Sequence, residues 1–357
     1  MFPDTREEAL AVPRGDLVLA FCAACGLVWN VAFDPDALEY DAGYENSLHF
    51  SPTFQRYAEE LANRLVTRHA VRNKTVVEIG SGKGEFLALV CAKGGNRGVG
   101  FDPSYDGESD HLADRGVEFV RALYTAESAP PDADLVVCRH VLEHIEDPVD
   151  FLTSVRRATT HADTVLYFEV PAAEYLLREG AVWDLIYPHV SIFSEAALRA
   201  LFARCGFRVL RSGFSFGEQY AWIEASPTMA AYPGPGARAT VPRPLADSFA
   251  ETLADERRAW SRSLAADGPE SVAVWGAGAK GATFLNVVEG GERVGAVVDV
   301  NPRKQGKHMP GTGQRISAPE ELAERPPRRV IVMNPMYRRE IEETLSDLGV
   351  EAAVATV

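Results

Sequence analysis

The strongest structural signal in this chain is the segment VVEIGSGKGEFL at residues 76–87. A run of apolar and β-branched residues ends at Gly80, and Gly82 and Gly84 follow before an apolar-rich segment that predicts a helix. Glycine adopts left-handed backbone conformations at little steric cost, so a turn of this kind lets the backbone approach a ligand closely. The segment therefore predicts the strand, turn and helix that open a nucleotide-binding α/β unit.

Acidic residues around this glycine turn indicate which ligand it binds. Glu78 lies in the predicted strand, and Asp102 ends the next predicted strand, 20 residues after Gly82, where an acid can accept ribose hydroxyl protons. Carboxylates are poor neighbours for a pyrophosphate and good neighbours for a cation, which favours S-adenosylmethionine over NAD. The expected cofactor site comprises Glu78, Gly80, Gly82, Gly84, Asp102, Pro103 and His140.

Strands and helices alternate along the chain on both sides of this turn, and the alternation stops near Ala225. Such a pattern predicts an α/β protein with a doubly wound, Rossmann-like core built on a parallel sheet. Helices are predicted over residues 54–69, 147–159 and 194–206, and strands after the turn over 97–103, 118–124, 133–140 and 164–171.

A second strand–glycine–helix unit begins at SVAVWGAGAKGATFL, residues 271–285, after a proline-rich segment at 232–244 that is typical of a linker. The chain is therefore predicted to hold two Rossmann-like domains, the second being the smaller. The predicted divisions are an N-terminal lid with a remnant zinc knuckle (1–50), an S-adenosylmethionine-binding domain (51–228), a linker and helix (229–265) and a C-terminal substrate domain (266–357).

The composition of the chain limits the kinds of molecule that it is expected to bind. The formal net charge of −15 disfavours binding to a nucleic-acid backbone. No apolar run reaches the ~20 residues of a membrane span, and the acidic start does not resemble a secretory signal. Five cysteines, an odd number, indicate reduced thiols. We expect a cytoplasmic monomer or small homo-oligomer that acts on a small molecule.

Several further motifs together resemble a known family. They are ADLVVCRHVLEHIEDP (133–148), WDLIYPHVSIFS (183–194), VWGAGAKG (274–281), VDVNPRKQGKHMPGTG (298–313), VIVMNP (330–335) and YENSLHFSP (44–52). With the glycine turn, they resemble class I S-adenosylmethionine-dependent C-methyltransferases, specifically the bacterial nucleotide-sugar enzymes of specialised metabolism, which make deoxysugars for natural products. Those enzymes join an N-terminal zinc-binding segment to a methyltransferase core and a Rossmann-like C-terminal domain. The resemblance covers nearly the whole chain.

The resemblance implies a mechanism for this chain. A base removes the acidic proton beside the ketone of a nucleotide-linked sugar, and the enolate attacks the methyl group. By similarity His189 is the base and Tyr187 lies near it. A second imidazole could stabilise the enolate oxygen, and His144 is the candidate, with Tyr40 or Tyr44 closing the site. Histidine suits the first role because it is neutral near pH 7 and can carry a proton. The expected substrate-binding residues are Tyr40, Gln219, Tyr220, Lys280, Asn334, Tyr337 and Arg338.

One departure from the family pattern concerns the base. The family carries a glutamate directly before this histidine, whereas here Tyr187 and Pro188 precede His189. A carboxylate would raise the basicity of the imidazole. Its loss leaves Asp184 and Glu218 as candidate replacements and puts the sugar substrate in doubt more than the methyl transfer.

A second departure concerns zinc. Cys22 and Cys25 form half of a four-cysteine knuckle, and no cysteine or histidine precedes them. Even with His49 as a third ligand the usual set of four is incomplete. A structural zinc is therefore not expected.

Other functions remain open at this stage. The chain could methylate nitrogen or oxygen in another natural product, or be a catalytically idle scaffold, although the intact glycine turn argues against the latter. A metal could be held on a helix by His140, Glu143 and His144. It is more usual for one of the two histidines to face the cofactor and for the other to cap the helix, so no metal site is expected. The segment GAGAKG could bind a substrate diphosphate or a second cofactor.

Overall fold

The computed structural model describes residues 2–37, 47–228 and 243–357. Its helices are α1 (Arg6–Ala11), α2 (Pro52–Arg68), α3 (Glu85–Gly94), α4 (Pro148–Ala158), α5 (Ala173–Arg178), α6 (Glu195–Arg204), α7 (Arg243–Asp267), α8 (Ala279–Val287) and α9 (Arg338–Asp347). Its strands are β1 (Leu19–Phe21), β2 (Val28–Asn30), β3 (Thr75–Ile79), β4 (Arg97–Phe101), β5 (Val117–Val120), β6 (Ala133–Arg139), β7 (Val165–Pro171), β8 (Ser191–Ile192), β9 (Phe207–Ser215), β10 (Tyr220–Pro227), β11 (Val272–Trp275), β12 (Ala296–Val298), β13 (Ile316–Ser317), β14 (Arg329–Val332) and β15 (Ala353–Thr356).

The largest sheet has seven strands in the order β5-β4-β3-β6-β7-β10-β9. Strands β3 to β7 pair in parallel, and all five residues of β3 are buried, as expected for a central strand that helices cover on both faces. Val76 packs with helices α2 and α3, and its neighbour Val77 packs with α4 and α6. This arrangement confirms the predicted doubly wound core.

The edge of this sheet departs from the prediction, because β9 and β10 were not predicted as strands. β10 runs antiparallel to both β7 and β9. β9 is an edge strand whose residues FRVLRSGFS are mostly half-buried or exposed, so it lacks the apolar run that marks the inner strands. The sheet is therefore mixed, with its antiparallel strand near one edge.

A second sheet, of five strands, has the order β13-β12-β11-β14-β15, and all its pairs are parallel. One face packs on α8 through Phe284 and Leu285, and the other packs on α9 through Ile341 and Leu345. This is the second Rossmann-like unit that the glycine segment at residues 276–281 predicts.

The N-terminal segment forms a small sheet with the chain around residue 190. Strands β1 and β2 pair antiparallel, and β2 pairs with β8, with Trp29 opposite Ser191. The Asn30 amide also donates to the Val190 carbonyl at 2.9 Å. The first thirty residues are thus joined to the loop that carries His189.

Cys22 and Cys25 lie in the tight turn between β1 and β2. The Gly26 amide donates to the Cys22 carbonyl at 2.7 Å, and Gly26 has a φ of 79°. Within the described ranges, no group of three candidate metal ligands includes either cysteine. Where the chain is described, no helix combines the length and the apolar character that crossing a bilayer requires.

Candidate active site

The glycine turn after β3 leaves one open face. Gly80, Gly82 and Gly84 all have φ between 52° and 77°. A Cβ on Gly80 would lie 2.2 Å from Val141, and one on Gly84 would lie 2.3 Å from Phe119. A Cβ on Gly82 would meet nothing within 4 Å. The turn is therefore closed by packing on two sides and open at Gly82, where a ligand can reach the backbone.

Asp102 joins the glycine turn to the loop after β4. Its Oδ2 accepts from the Gly82 amide at 2.8 Å, and its Oδ1 accepts from the Ser104 amide at 2.8 Å and the Ser104 hydroxyl at 2.6 Å. Adjacent carboxyl ends of parallel strands form the ligand crevice of such sheets. Asp102 thus lies where the sequence places it, whereas its neighbour Pro103 is exposed.

Glu78 is buried beneath this turn with an exposed fraction of 4 %, and its Oε2 has no hydrogen-bond partner among the described residues. Burial raises its pKa to about 8, although Arg139 opposes the shift. An unpartnered carboxyl oxygen in a buried site suits a cationic ligand group. The residues around the turn therefore fit a nucleoside that carries an ammonium or a sulfonium.

The raised pKa of Glu78 predicts proton release on cofactor binding. At pH 7 the carboxyl is mostly protonated, and a cation beside it would lower its pKa. Titration with S-adenosylhomocysteine at pH 7, in two buffers of different ionisation enthalpy, should show protons released by the wild type. Glu78→Gln cannot ionise and should show none of this release. Equal release by both proteins would contradict the assignment.

The raised pKa of Glu78 also predicts how the stability of the fold changes with pH. Between the ordinary value of 4.5 and about 8, folded Glu78 keeps a proton that the unfolded chain has lost. Stability therefore falls as pH rises through this window. Glu78→Gln should flatten that part of a stability-against-pH curve.

A buried polar network lies between β6, β7 and α2, and sequence reasoning missed it. Glu169, which is fully buried, accepts from Arg139 Nε at 3.0 Å, from Tyr167 at 2.8 Å and from Ser215 at 3.0 Å, and also contacts the Tyr57 hydroxyl. Burial would raise the pKa of Glu169, but Arg139 and His140 hold it well below its ordinary value. The available signal was a charged residue inside the apolar strand VLYFEVP.

His140 follows β6 and lies between two carboxylates. Its Nδ1 is 3.5 Å from Glu143 Oε1, and its Nε2 is 3.6 Å from Glu169 Oε1. Burial would lower the pKa of His140, and the two carboxylates outweigh it and raise the pKa. The ring also packs edge-on against Tyr220 at 4.5 Å. A cofactor contact for His140 stays a prediction.

His144 and His189 form an imidazole pair, with ring centroids 4.8 Å apart and planes at 80°. His144 Nδ1 lies 3.0 Å from the Pro188 carbonyl, which can only accept, so this nitrogen carries the hydrogen. His189 Nδ1 is buried without a hydrogen-bond partner in the described ranges. Burial, with a contribution from His144, lowers the pKa of His189 to about 3, so the ring is neutral at pH 7.

Glu143 lies beside this pair and is 1 % exposed. One ligand atom each from Glu143, His144 and His189 all lie within 4.8 Å of one another. Neither Glu143 oxygen has a hydrogen-bond partner among the residues that are described. The structure thus brings together two imidazoles that the sequence predicts to be catalytic and one carboxylate that it indicates only as a possible metal ligand.

The structure assigns other contacts to the two proposed replacement acids. Asp184 pairs with Lys280 at 2.6 Å, and Glu218 pairs with Arg178 at 2.9 Å on the surface. Both carboxylates are thus engaged by cations, and a supporting role for either beside His189 stays a prediction.

Tyr187 is directed towards the N-terminal segment. Its hydroxyl accepts from the Asp34 amide at 3.0 Å and lies 3.3 Å from the Asp34 carbonyl, and its ring stacks on Phe33. A catalytic role would require this hydroxyl to leave Asp34. Tyr40 and Tyr44 lie outside the described residues.

The expected substrate residues divide into two groups. At the junction of the two large sheets, Gln219 and Asn334 exchange two hydrogen bonds of 2.9 Å, and Lys280 lies 3.4 Å from Gln219. Tyr220 and Tyr337 both pack on Phe216, 5.3 Å and 5.8 Å away between ring centroids. Arg338 is exposed and pairs at 2.8 Å with Glu342 on its own helix.

The second glycine segment is only partly open to a ligand. A Cβ on Gly278 would meet nothing within 4 Å, whereas one on Gly281 would lie 2.2 Å from the Gly276 carbonyl oxygen. Asp299, at the end of β12, is bound by buried Lys304 at 3.1 Å and by the Asn301 amide at 2.9 Å. Asp299 is therefore buried and paired with a cation, which makes it a poorer acceptor for the ribose of a redox nucleotide than an unpaired acid would be.

Comparison with known proteins matches both halves of the chain. The family described as "Methyltransferase domain" matches residues 53–212, and that described as "C-methyltransferase C-terminal domain" matches residues 246–353. C-methyltransferase NovU of Streptomyces niveus is 30% identical over 297 residues, which cover 74% of this chain and 67% of NovU.

Two further similarities are partial. A ubiquinone biosynthesis O-methyltransferase of Methylococcus capsulatus is 28% identical over 127 residues, 30% of this chain and about half (53%) of that protein. The 1,6-didemethyltoxoflavin-N1-methyltransferase of Burkholderia thailandensis, solved with S-adenosylhomocysteine, has a TM-score of 0.40 and 18% identity. It covers 50% of this chain and 81% of that one.

Proposed function

This chain belongs to the S-adenosylmethionine-dependent C-methyltransferases, and from that premise we propose that it methylates carbon beside a ketone in a nucleotide-linked sugar or a related small molecule. The observation that carries this proposal is the neutral imidazole of His189, whose ring centroid lies 4.8 Å from that of His144. A carbon acid needs a base that is unprotonated near pH 7, and His189 provides one.

The residues of the first glycine turn would hold the cofactor. The open face at Gly82 admits it, Asp102 retains acceptor capacity for ribose hydroxyls, and Glu78 faces its cationic part. When bound, S-adenosylmethionine supplies an electrophilic methyl group on a sulfonium. Transfer of this methyl group to a carbon nucleophile leaves S-adenosylhomocysteine, whose sulfur is uncharged.

We assign proton removal to His189. Its Nδ1 is the buried nitrogen, so Nε2 is the proposed acceptor of the substrate proton. The carbon–hydrogen electron pair then moves into the enolate, and the proton stays on His189. Desolvation keeps the imidazole neutral and therefore ready to accept, but it also makes the imidazolium costly.

His144 has a narrower role than the enolate stabilisation for which the sequence makes it a candidate. Because its Nδ1–H donates to the Pro188 carbonyl, neutral His144 offers only a lone pair at Nε2. It can donate to an enolate oxygen only as an imidazolium. Neutral His144 is suited to accept a hydrogen bond from a substrate hydroxyl.

Substrate binding is proposed at the junction of the two sheets. Gln219, Asn334 and Lys280 form a connected set of polar side chains there, with the open Gly278 turn on the same unit as Lys280. Lys280 is already neutralised by Asp184, so a diphosphate would have to displace that carboxylate.

The function is tested with a panel of nucleotide-linked 4-keto sugars in deuterated buffer. With S-adenosylhomocysteine bound, NMR should show exchange of the hydrogen beside the ketone. With S-adenosylmethionine, the product should carry a new carbon-bound methyl group. A product that carries the new methyl group on oxygen or nitrogen would contradict the proposal. So would the finding that no methylated substrate exchanges the hydrogen beside its ketone.

A further inference from the structure

We propose that Glu143 is the positioning residue for His189, holding the imidazole through Nδ1 and balancing its charge once Nε2 takes the proton. This inference rests on the proposed function and names the carboxylate that the reaction uses. It is a role for a residue that does not itself touch the substrate.

The first argument is the state of the Glu143 carboxylate. It is 1 % exposed, and within the described ranges neither oxygen has a hydrogen-bond partner. A buried carboxylate that makes no hydrogen bond is costly, because it has lost its water and is compensated only by nearby charge, here the His140 ring at 3.5 Å. Burial would raise its pKa, yet the surrounding histidines outweigh burial and lower it, which keeps the group ionised.

The second argument is the state of His189. Its sequence neighbours, Pro188 and Val190, offer no carboxylate. Among the described residues neither its buried Nδ1 nor the oxygens of Glu143 have a hydrogen-bond partner, and ligand atoms of the two residues lie within 4.8 Å. A side-chain adjustment that forms one Nδ1–H···Oε hydrogen bond would satisfy both unpartnered groups.

Such a hydrogen bond has two chemical consequences. It places the hydrogen of neutral His189 on Nδ1, which leaves the lone pair at Nε2 for the substrate proton. It also puts a negative charge beside the imidazolium that forms, and so opposes the desolvation that holds the pKa of His189 down.

Other charged groups also act on this pair. His144 and His140, from the loop after β6, and Lys280, from α8, all lower the pKa of His189, whereas Glu143 raises it. His140 itself lies between Glu143 and Glu169. Among the groups that influence His189, Glu143 is therefore the one whose charge favours protonation.

Glu143→Gln tests the proposal because it keeps the shape and removes the charge. We expect kcat to fall about 100-fold, with the KM of the sugar and the Kd of S-adenosylhomocysteine little changed. Since the carboxylate raises the basicity of His189, its loss should move the acidic limb of the kcat profile to lower pH. Glu143→Asp keeps the charge and should restore part of kcat.

Glu174→Gln is the matched control. Glu174 is another buried glutamate, 5 % exposed, and it accepts from the Glu195 amide at 3.0 Å. The Glu174→Gln variant should have the same kcat and the same pH profile as the wild type. Equal losses in the two glutamine variants would overturn the proposal, since any buried carboxylate would then have the same effect.

A substrate-free readout separates this inference from the proposed function. In protein labelled with ¹⁵N-histidine, His189, assigned by His189→Gln, should be the Nδ1–H tautomer in the wild type and lose that preference in Glu143→Leu, which removes the acceptor. An unchanged tautomer would overturn the positioning role even if methylation proceeds. Activity that is lost in EDTA and restored by Zn²⁺ or Mn²⁺ would also overturn it, because these three side chains would then be metal ligands.

Discussion

His189→Ala is expected to lower the rate of methyl transfer by about 10²–10⁴-fold, the usual contribution of a positioned base. The variant removes the imidazole that accepts the substrate proton, so exchange of the hydrogen beside the ketone should fall by the same factor. The glycine turn and Asp102 make their hydrogen bonds with each other and with Ser104, away from this ring, so S-adenosylhomocysteine should bind with nearly unchanged affinity. Rates are measured by NMR exchange and by mass spectrometry of the product.

Two comparisons make this test selective. His161→Ala removes an exposed histidine and should behave as the wild type. Added imidazole, which fits the space left by the deleted ring, should restore part of the rate in His189→Ala. If His189→Ala keeps full exchange and full methyl transfer, another group is the base.

Glu169→Ala is expected to lower the free energy of unfolding by about 3–5 kcal/mol, the cost of breaking a buried ion pair by removing one partner. Glu169 is fully buried and Arg139 is 9 % exposed, so the remaining guanidinium would lose its counter-charge in a site with little water. The Tyr167 hydroxyl would lose its acceptor as well. Urea unfolding monitored by circular dichroism measures the change.

A double replacement distinguishes the ion pair from simple packing. Arg139→Met combined with Glu169→Leu removes both charges, keeps apolar volume and should be less destabilising than Glu169→Ala alone. Glu342→Ala, which removes an exposed partner of Arg338, should have little effect. A double variant as unstable as the single one would show that the charge of Arg139 is not the cause.

The features that sequence reasoning predicted well are those with local causes. The turn at Gly80, Gly82 and Gly84 needs positive φ within one short segment, and glycine is the residue that permits it. Asp102 follows a strand, and its position relative to the turn is set by parallel pairing of β3 and β4. Such local requirements can therefore be recognised in the amino-acid sequence.

The features that it missed depend on distant partners. Glu169 meets Arg139 and Tyr57 only when three elements pack, and no spacing in the chain records that meeting. In the basic run at 302–307, Arg303 pairs with Glu108 and Lys304 with Asp299, and nothing in the spacing of that run records these partners. A charged side chain shows its own chemistry in the sequence, but its partner is a property of the fold.

The small sheet of β1, β2 and β8 constrains how this enzyme can diverge. Its β2–β8 register, with Trp29 opposite Ser191, fixes the backbone two residues after His189. A shift of one residue in such a pairing turns every side chain to the opposite face. An insertion or deletion near Val28 would therefore be transmitted to the imidazole, so the two segments should gain or lose residues only in concert during evolution.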